Sequence, residues 1–170
     1  AGAMVEGNDG CRTAQTPKGK GVDVIEAALV TGEDLKKLSE KMNAMAEELG
    51  MKFFLRDAAN VLQAECVVII GTREQTQGLI ADTAVFPLVP VAGGSTLCLE
   101  YGGCEGVAVG SACAMAADLR VDTRVMFSAG LAAQRLDWLK ECKTVFAIPV
   151  SASSKESVLT TGNRRKISDN

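Results

Sequence analysis

Residues Gly102 to Leu119 read GGCEGVAVGSACAMAADL, a run of small side chains where a surface helix carries long charged ones. Small residues let neighbouring backbones approach closely, although each glycine costs about 1 kcal/mol of helix propensity relative to alanine. The run therefore predicts a buried central helix pressed against neighbouring elements, with Gly106 and Gly110 as the contact points. Cys104 and Cys113 fall on this helix and are expected in the core.

The chain before this run predicts two strands with helical segments between them. VDVIEAALV (Val22–Val30) and CVVIIG (Cys66–Gly71) are apolar and rich in β-branched residues, which is typical of strands. Thr31, with Asp34 three residues on, predicts the N-cap of a helix whose apolar residues step by three and four up to Gly50. Residues 53–64 predict a short helix or a turn followed by a helix.

The remaining segments complete one domain. Asp122 predicts the N-cap of a further helix over TRVMFSAGLAAQRLDWLKE, and KTVFAIPVS (Lys143–Ser151) predicts a third strand. Residues 72–95 predict an apolar loop longer than most loops of compact domains, which favours a lid or a binding loop. We expect a single domain over 1–170, with 1–11 and 156–170 as flexible or interface-forming ends.

The amino-acid composition excludes several classes of function. The 170 residues include no histidine, so Ser-His-Asp and Cys-His catalysis are excluded and any chemistry is expected to come from a cofactor. The six cysteines include no C-x-x-C pair, so no metal site is predicted. A net charge of −3 with one Trp and one Tyr disfavours nucleic acid as a partner.

The same composition bears on location. No apolar run approaches the ~20 residues that a membrane helix needs, so no contact with a membrane is expected. Cysteines without a secretory signal predict reduced thiols, and hence a cytoplasmic protein.

The loop RTAQTPKGKGVD (Arg12–Asp23) places two lysines among glycines just before the first strand. It is not a nucleotide triphosphate loop, because it precedes a strand instead of following one and opening a helix. Two interpretations remain. Glycine backbone N–H groups with Lys18 and Lys20 can hold an anion, or the glycines make a solvated turn.

Four segments carry a resemblance to a known family. RTAQTPKGKGVD, VVIIG, VAVGSACAMAADLRVDTRVMFSAGLAAQRL and AIPVSASSK occur in this order in uncharacterised bacterial and archaeal proteins described as containing a ferredoxin domain. The chain resembles that family over roughly residues 12–155, and the family has no assigned reaction. Its usual members carry a cysteine-rich segment, with a C-x-x-C, before the small-residue helix. Here only Cys98 remains in that segment, so the resemblance predicts that a cluster has been lost.

The order of elements is also similar to that of flavin-dependent nitroreductases, in which a loop precedes a strand-helix unit and a buried helix follows. This resemblance implies an α+β fold of three layers, with a central mixed sheet packed by helices and one buried small-residue helix. It further implies FMN at the interface of a homodimer, with its phosphate near basic residues at the chain ends. The FMN contacts that it implies here are Arg12, Thr13, Pro17, Lys18, Gly19, Lys20, Gly21, Arg164 and Arg165.

Three functions follow as hypotheses. The first is an FMN-dependent, nitroreductase-like oxidoreductase whose catalytic residues the sequence does not identify. The second is a non-catalytic assembly or sensor subunit, in which the small-residue helix serves subunit packing. The third is an iron–sulfur protein that uses Cys98, Cys104 and Cys113. Glu105 and Asp118 flank the small-residue helix, and both structural capping and acid-base chemistry remain open for them.

Overall fold

A computed structural model describes residues 16–17, 21, 23–73 and 96–152, without the side chains of residues 96–104. It contains one sheet and four helices in these ranges, so the predicted α+β class is confirmed. The strands are β1 (Ile25–Val30), β2 (Cys66–Arg73), β3 (Asp122–Thr123) and β4 (Cys142–Ser151). The helices are α1 (Glu33–Leu49), α2 (Phe53–Val61), α3 (Thr96–Asp118) and α4 (Phe127–Arg135).

The strands pair in the order β1-β2-β4-β3. Ile70 of β2 lies between Ala27 of β1 and Phe146 of β4, which sets the register of the three long strands. Every pairing of the described strands is antiparallel, so the expectation of a mixed sheet was wrong for this part of the chain. Strand direction depends on the connections between strands, and the composition of a strand does not encode it.

Helices α1, α2 and α4 cover one face of the sheet. The predicted stepping in α1 is confirmed, because Leu38, Met42 and Met45 are buried in a core that also contains Phe54 of α2 and Ile69 of β2. This core is the larger of two apolar clusters in the described part of the chain.

The helix starts differ from the prediction, whereas one helix end agrees with it. Gly32, not Thr31, is the N-cap of α1, and no side chain caps it. Asp122 is not a helix cap but lies in β3, where it pairs with Ser151 of β4. Helix α4 begins four residues later than expected, after the extended residue Met126. Gly50 ends α1 as predicted, at a φ of 65° in the left-handed region that favours glycine.

Helix α3 covers the opposite face, so the sheet lies between two helical layers as predicted. Its inner side contributes Ala108, which packs with Ile70 and Ile148. Its outer side is exposed, and a Cβ placed on Gly106 or Gly110 would meet no atom of the described residues within 4 Å. For these residues of the single chain, the expectation that the two glycines are contact points was therefore wrong. Small side chains permit a close approach, but they do not determine which element makes it.

Candidate functional site

Polar groups gather at the end of the sheet where β1 begins and β2 ends, and we call this region the polar end. The predicted loop runs into it. Of the predicted FMN contacts, the structure describes Pro17 and Gly21, which are both exposed. Gly21 has a φ of 70°, so the loop requires glycine there. The other predicted contacts lie outside the described residues: Arg12, Thr13, Lys18, Gly19, Lys20, Arg164 and Arg165.

Arg73, the last residue of β2, ties the end of this loop to the sheet. Its guanidinium Nη2 donates a hydrogen bond of 2.8 Å to the carbonyl of Asp23, and its backbone N–H donates one of 2.9 Å to the carbonyl of Val24. Its Nε lies 3.5 Å from a carboxylate oxygen of Glu26. Asp23 and Val24 are therefore held at the polar end whatever the preceding loop binds.

Glu105 of α3 places a carboxyl group over the same end of the sheet. Its side chain is 1% exposed, and burial raises its pKa, while hydrogen bonds to the Thr144 side chain and the Phe146 backbone oppose that rise. Its Oε1 atom has no hydrogen-bond partner among the residues that the structure describes. Because Thr144 pairs with Thr72, next to Arg73, the carboxyl group belongs to the polar end.

The sequence does contain a signal for this group. Glu105 is the sole charged residue between Glu100 and Asp118 in an otherwise small and apolar run. The sequence leaves both capping and acid-base chemistry open for Glu105, because it does not tell which strand this side chain faces. A capping role does not apply, since Glu105 lies inside α3.

Cys142, at the start of β4, supplies a thiol but no nucleophile. Burial, with the nearby carboxylates of Glu26 and Glu105, raises its pKa to about 12, and the thiol hydrogen-bonds to Glu26. A side chain at Gly71 would clash with Cys142, since a Cβ there would lie 2.8 Å from the Cβ of Cys142. The thiolate is the reactive form of cysteine, so this residue packs and does not react.

The start of α4 lies beside β4 and presents apolar surface. Phe127 is 57% exposed, and its ring meets that of Phe146 edge to face at 6.4 Å between centroids. No side chain caps the helix. The hydroxyl of Ser128 instead donates a 2.6 Å hydrogen bond to the buried carboxylate of Asp57 in α2. The first turn of α4 therefore keeps uncapped backbone N–H groups, which suit hydrogen-bond acceptors.

Among the residues that the structure describes, no three potential ligands of the Cys, Asp or Glu type come together to hold a metal ion. Cys113 is half-buried on α3. Burial raises the pKa of its thiol, and a hydrogen bond from Thr123 partly offsets that rise. The side chains of Cys98 and Cys104 lie outside the described residues, so the iron–sulfur hypothesis stays a prediction. Within the same ranges, no helix is both long and apolar enough to cross a membrane.

Comparison with known proteins identifies sequence relatives. Residues 104–158 match the family model described as "Uncharacterized protein containing a ferredoxin domain". An uncharacterized protein of Archaeoglobus fulgidus is 32% identical in an alignment 166 positions long, which covers 86% of this chain and 83% of that protein.

Solved structures of two nitroreductases and of one flavoprotein are similar to this chain. A nitroreductase of Bacteroides fragilis with bound FMN gives a TM-score of 0.61 at 11% identity, over 99% of this chain and 88% of that one. A BluB-like flavoprotein of Clostridium difficile gives 0.58 at 13% identity, over 96% and 87%. Nitroreductase A of Vibrio parahaemolyticus gives 0.56 at 14% identity over 86% of this chain, which spans only 57% of that protein. At these identities the likeness shows the fold, and the predicted nitroreductase-like arrangement is confirmed.

Proposed function

The chain belongs to the family of uncharacterized proteins containing a ferredoxin domain, and we propose that it is an FMN-binding, nitroreductase-like oxidoreductase that works as a homodimer. The observation that carries the proposal is the likeness over 99% of the chain to a nitroreductase solved with bound FMN. The missing histidine supports it, because a chain without imidazole needs a cofactor for most chemistry. The cytoplasmic location expected from the cysteines stays a prediction.

Three features of the described residues support a site for the ring of a flavin. The exposed Phe127 and Val125 give an apolar surface, and the uncapped N–H groups of α4 can donate to ring oxygen and nitrogen atoms. Glu105 adds a buried oxygen without a partner over the same strand, β4. When bound, FMN would supply the transfer of hydride or electrons.

The phosphate of FMN requires cations, and the proposal assigns it to the predicted set. Lys18 and Lys20 would supply charge from the loop, with Arg12, Arg164 and Arg165 from the regions near the chain ends. Thr13, Pro17, Gly19 and Gly21 would shape the loop. Because Arg73 holds Asp23 at the polar end, a phosphate on the preceding residues would lie near that end.

The chain's own side chains would orient the cofactor and hold protons. Burial raises the pKa of Glu105, so its carboxyl keeps a proton to higher pH than an exposed glutamate and can then donate a hydrogen bond. Cys142 lies on the face of the sheet opposite Glu105, and its raised pKa keeps the thiol protonated, so the proposal gives it no role in holding the cofactor.

A titration with FMN tests the proposal. The protein is purified from cells supplied with riboflavin, its absorbance spectrum is recorded, and FMN binding is followed by fluorescence. Replacing Lys18 and Lys20 together by Met should weaken binding by more than tenfold, because each charged hydrogen bond contributes about 1.5 to 3 kcal/mol. The matched control replaces Lys36 and Lys37, which are exposed on α1 and paired with Glu33 and Asp34.

Two outcomes would contradict the proposal in different ways. A protein that neither carries nor binds FMN overturns the function itself. If both double variants bind FMN as the wild type does, the loop is a solvated turn and the phosphate lies elsewhere.

A specific observation favours the second candidate, a non-catalytic assembly subunit. The outer face of α3 is exposed and consists of small or apolar residues, among them Gly106, Val107, Gly110, Ala114 and Ala117. Such a face suits close packing of a second helix. A protein that forms a dimer but binds no FMN would support this candidate over the flavin enzyme. Anaerobic reconstitution that yields a stoichiometric cluster would support the iron–sulfur alternative.

A further inference from the structure

A cavity of about 140 Å³ lies beneath the C-terminal half of α3, and we call it the α3 cavity. The sheet supplies its floor through Leu29, Val68 and Ile148, and α3 supplies its roof through Ala112, Met115 and Ala116. Ile148 is 1% exposed, whereas Leu119 at the rim is 61% exposed. The cavity therefore has a buried floor and an opening toward solvent.

The α3 cavity is separate from the polar end of the sheet. Val150 lines the cavity, and Thr144 lies at the polar end. Ile148, the lining residue of β4 nearest to Thr144, is four positions along the strand from it, which is about 13 Å at the rise of a strand. A group bound in the cavity would not touch Glu105, Arg73 or the predicted loop.

The chemistry of the cavity wall is almost entirely aliphatic. None of the lining residues that the structure describes is charged, and among them the polar side chains are Cys66 and Thr123. The Thr123 hydroxyl is already hydrogen-bonded to the thiol of Cys113. A charged ligand would lose hydration against the buried floor without gaining a partner there, which disfavours it. An isoalloxazine ring with its ribityl phosphate is both charged and too large for this volume.

We propose that the α3 cavity binds a small, uncharged apolar ligand of about the size of benzene. Apolar cavities of about 150 Å³ lined by aliphatic and aromatic side chains accept benzene or xenon. The bound group contacts α3 and the strands beneath it, so it strengthens the packing of this layer. Binding in the cavity does not depend on FMN binding.

Binding of benzene to the full chain tests the proposal. The methyl resonance of Met115, assigned with the Met115→Leu variant, should shift as benzene is added and should show a nuclear Overhauser contact to the benzene protons. Benzoate is the matched probe, since it presents the same ring with a charge. It should leave the resonance unchanged at equal concentration.

Filling the cavity should abolish binding. Ala112→Leu places a larger side chain in the roof and should weaken benzene binding at least tenfold, as should Ala116→Leu. Ala59→Leu, at an exposed helical position on α2, is the control and should bind as the wild type does. If neither filled variant folds, the nuclear Overhauser contact between benzene and Met115 in the wild-type protein decides whether benzene binds in the cavity. Absence of that contact at saturating benzene, equal binding of benzoate, or unchanged binding by a folded filled variant would each overturn the proposal.

Discussion

Glu105 carries a carboxyl group that the packing of α3 against β4 removes from water. In the described part of the chain its Oε1 has no hydrogen-bond partner, so ionisation would leave a buried negative charge only partly compensated by Thr144 and Phe146. Burial is the largest cause of the raised pKa, which means that the folded chain binds the proton more tightly than the unfolded chain does. The stabilisation that Glu105 gives the fold is thus present in its protonated form.

This linkage predicts a pH dependence that Glu105→Gln should remove. The contribution of Glu105 to the free energy of unfolding should be largest below pH 4.5, the ordinary pKa of glutamate. It should be lost as the pH rises through the raised pKa of the folded chain. A tenfold difference in proton affinity between the folded and the unfolded chain corresponds to about 1.4 kcal/mol of stability. Urea unfolding across this pH range measures it, with the exposed Glu40→Gln as control. An equal fall in the wild type and in Glu105→Gln would show that the carboxyl group is not the cause.

At the scale of elements, glycines in α4 and α3 have opposite surroundings. Gly130 lies where α4 crosses β4, and a Cβ there would collide with the backbone carbonyl of Val145. Gly110 lies on the outer face of α3, where a Cβ would meet no described residue within 4 Å. Both glycines cost helix propensity, but in the described part of the chain the packing requires Gly130 and not Gly110.

The two sites should therefore respond in opposite directions to alanine. Gly130→Ala should destabilise the fold by about 1 to 3 kcal/mol, because the backbone of β4 must move. Gly110→Ala should stabilise an isolated chain by about 0.5 to 1 kcal/mol, since alanine is the better helix former. Thermal unfolding of both variants at low protein concentration measures the difference. A tolerated Gly130→Ala would mean that α4 packs less closely on β4 than the contact with Val145 indicates.

At the scale of the whole molecule, α3 has one face on the sheet and one face uncovered in the described part of the chain. Val107 and Gly110 on that outer face are exposed although α3 holds no charged residue between Glu105 and Asp118. A long apolar helix face is costly to leave in water, and burying it against a second copy would remove that cost. The uncovered face therefore supports the proposed homodimer.

A charge on the outer face of α3 should break such a dimer. Ala114→Glu places a carboxylate in the contact and should shift the protein to monomers in light scattering coupled to size exclusion, with its far-ultraviolet dichroism unchanged. Ala59→Glu, exposed on α2, is the control and should leave the assembly as it is. A wild-type protein that is monomeric at every concentration would refute the dimer.

The sequence by itself determined the elements whose cause is local. The three-and-four spacing of Leu38, Met42 and Met45 specified α1 and its buried side, and Gly50 specified its end. The apolar runs specified β2 and β4, because a strand buried on both faces needs no other signal.

Only the tertiary structure decided the features that depend on two distant segments. The antiparallel order of the strands, the burial of Glu105 under α3 and the collision that requires Gly130 each involve residues far apart in the chain. The α3 cavity belongs to the same class, because its wall combines β1, β2, β3 and β4 with the end of α3. Periodicity and propensity act over a few residues, whereas register, burial and voids follow from how separate faces meet.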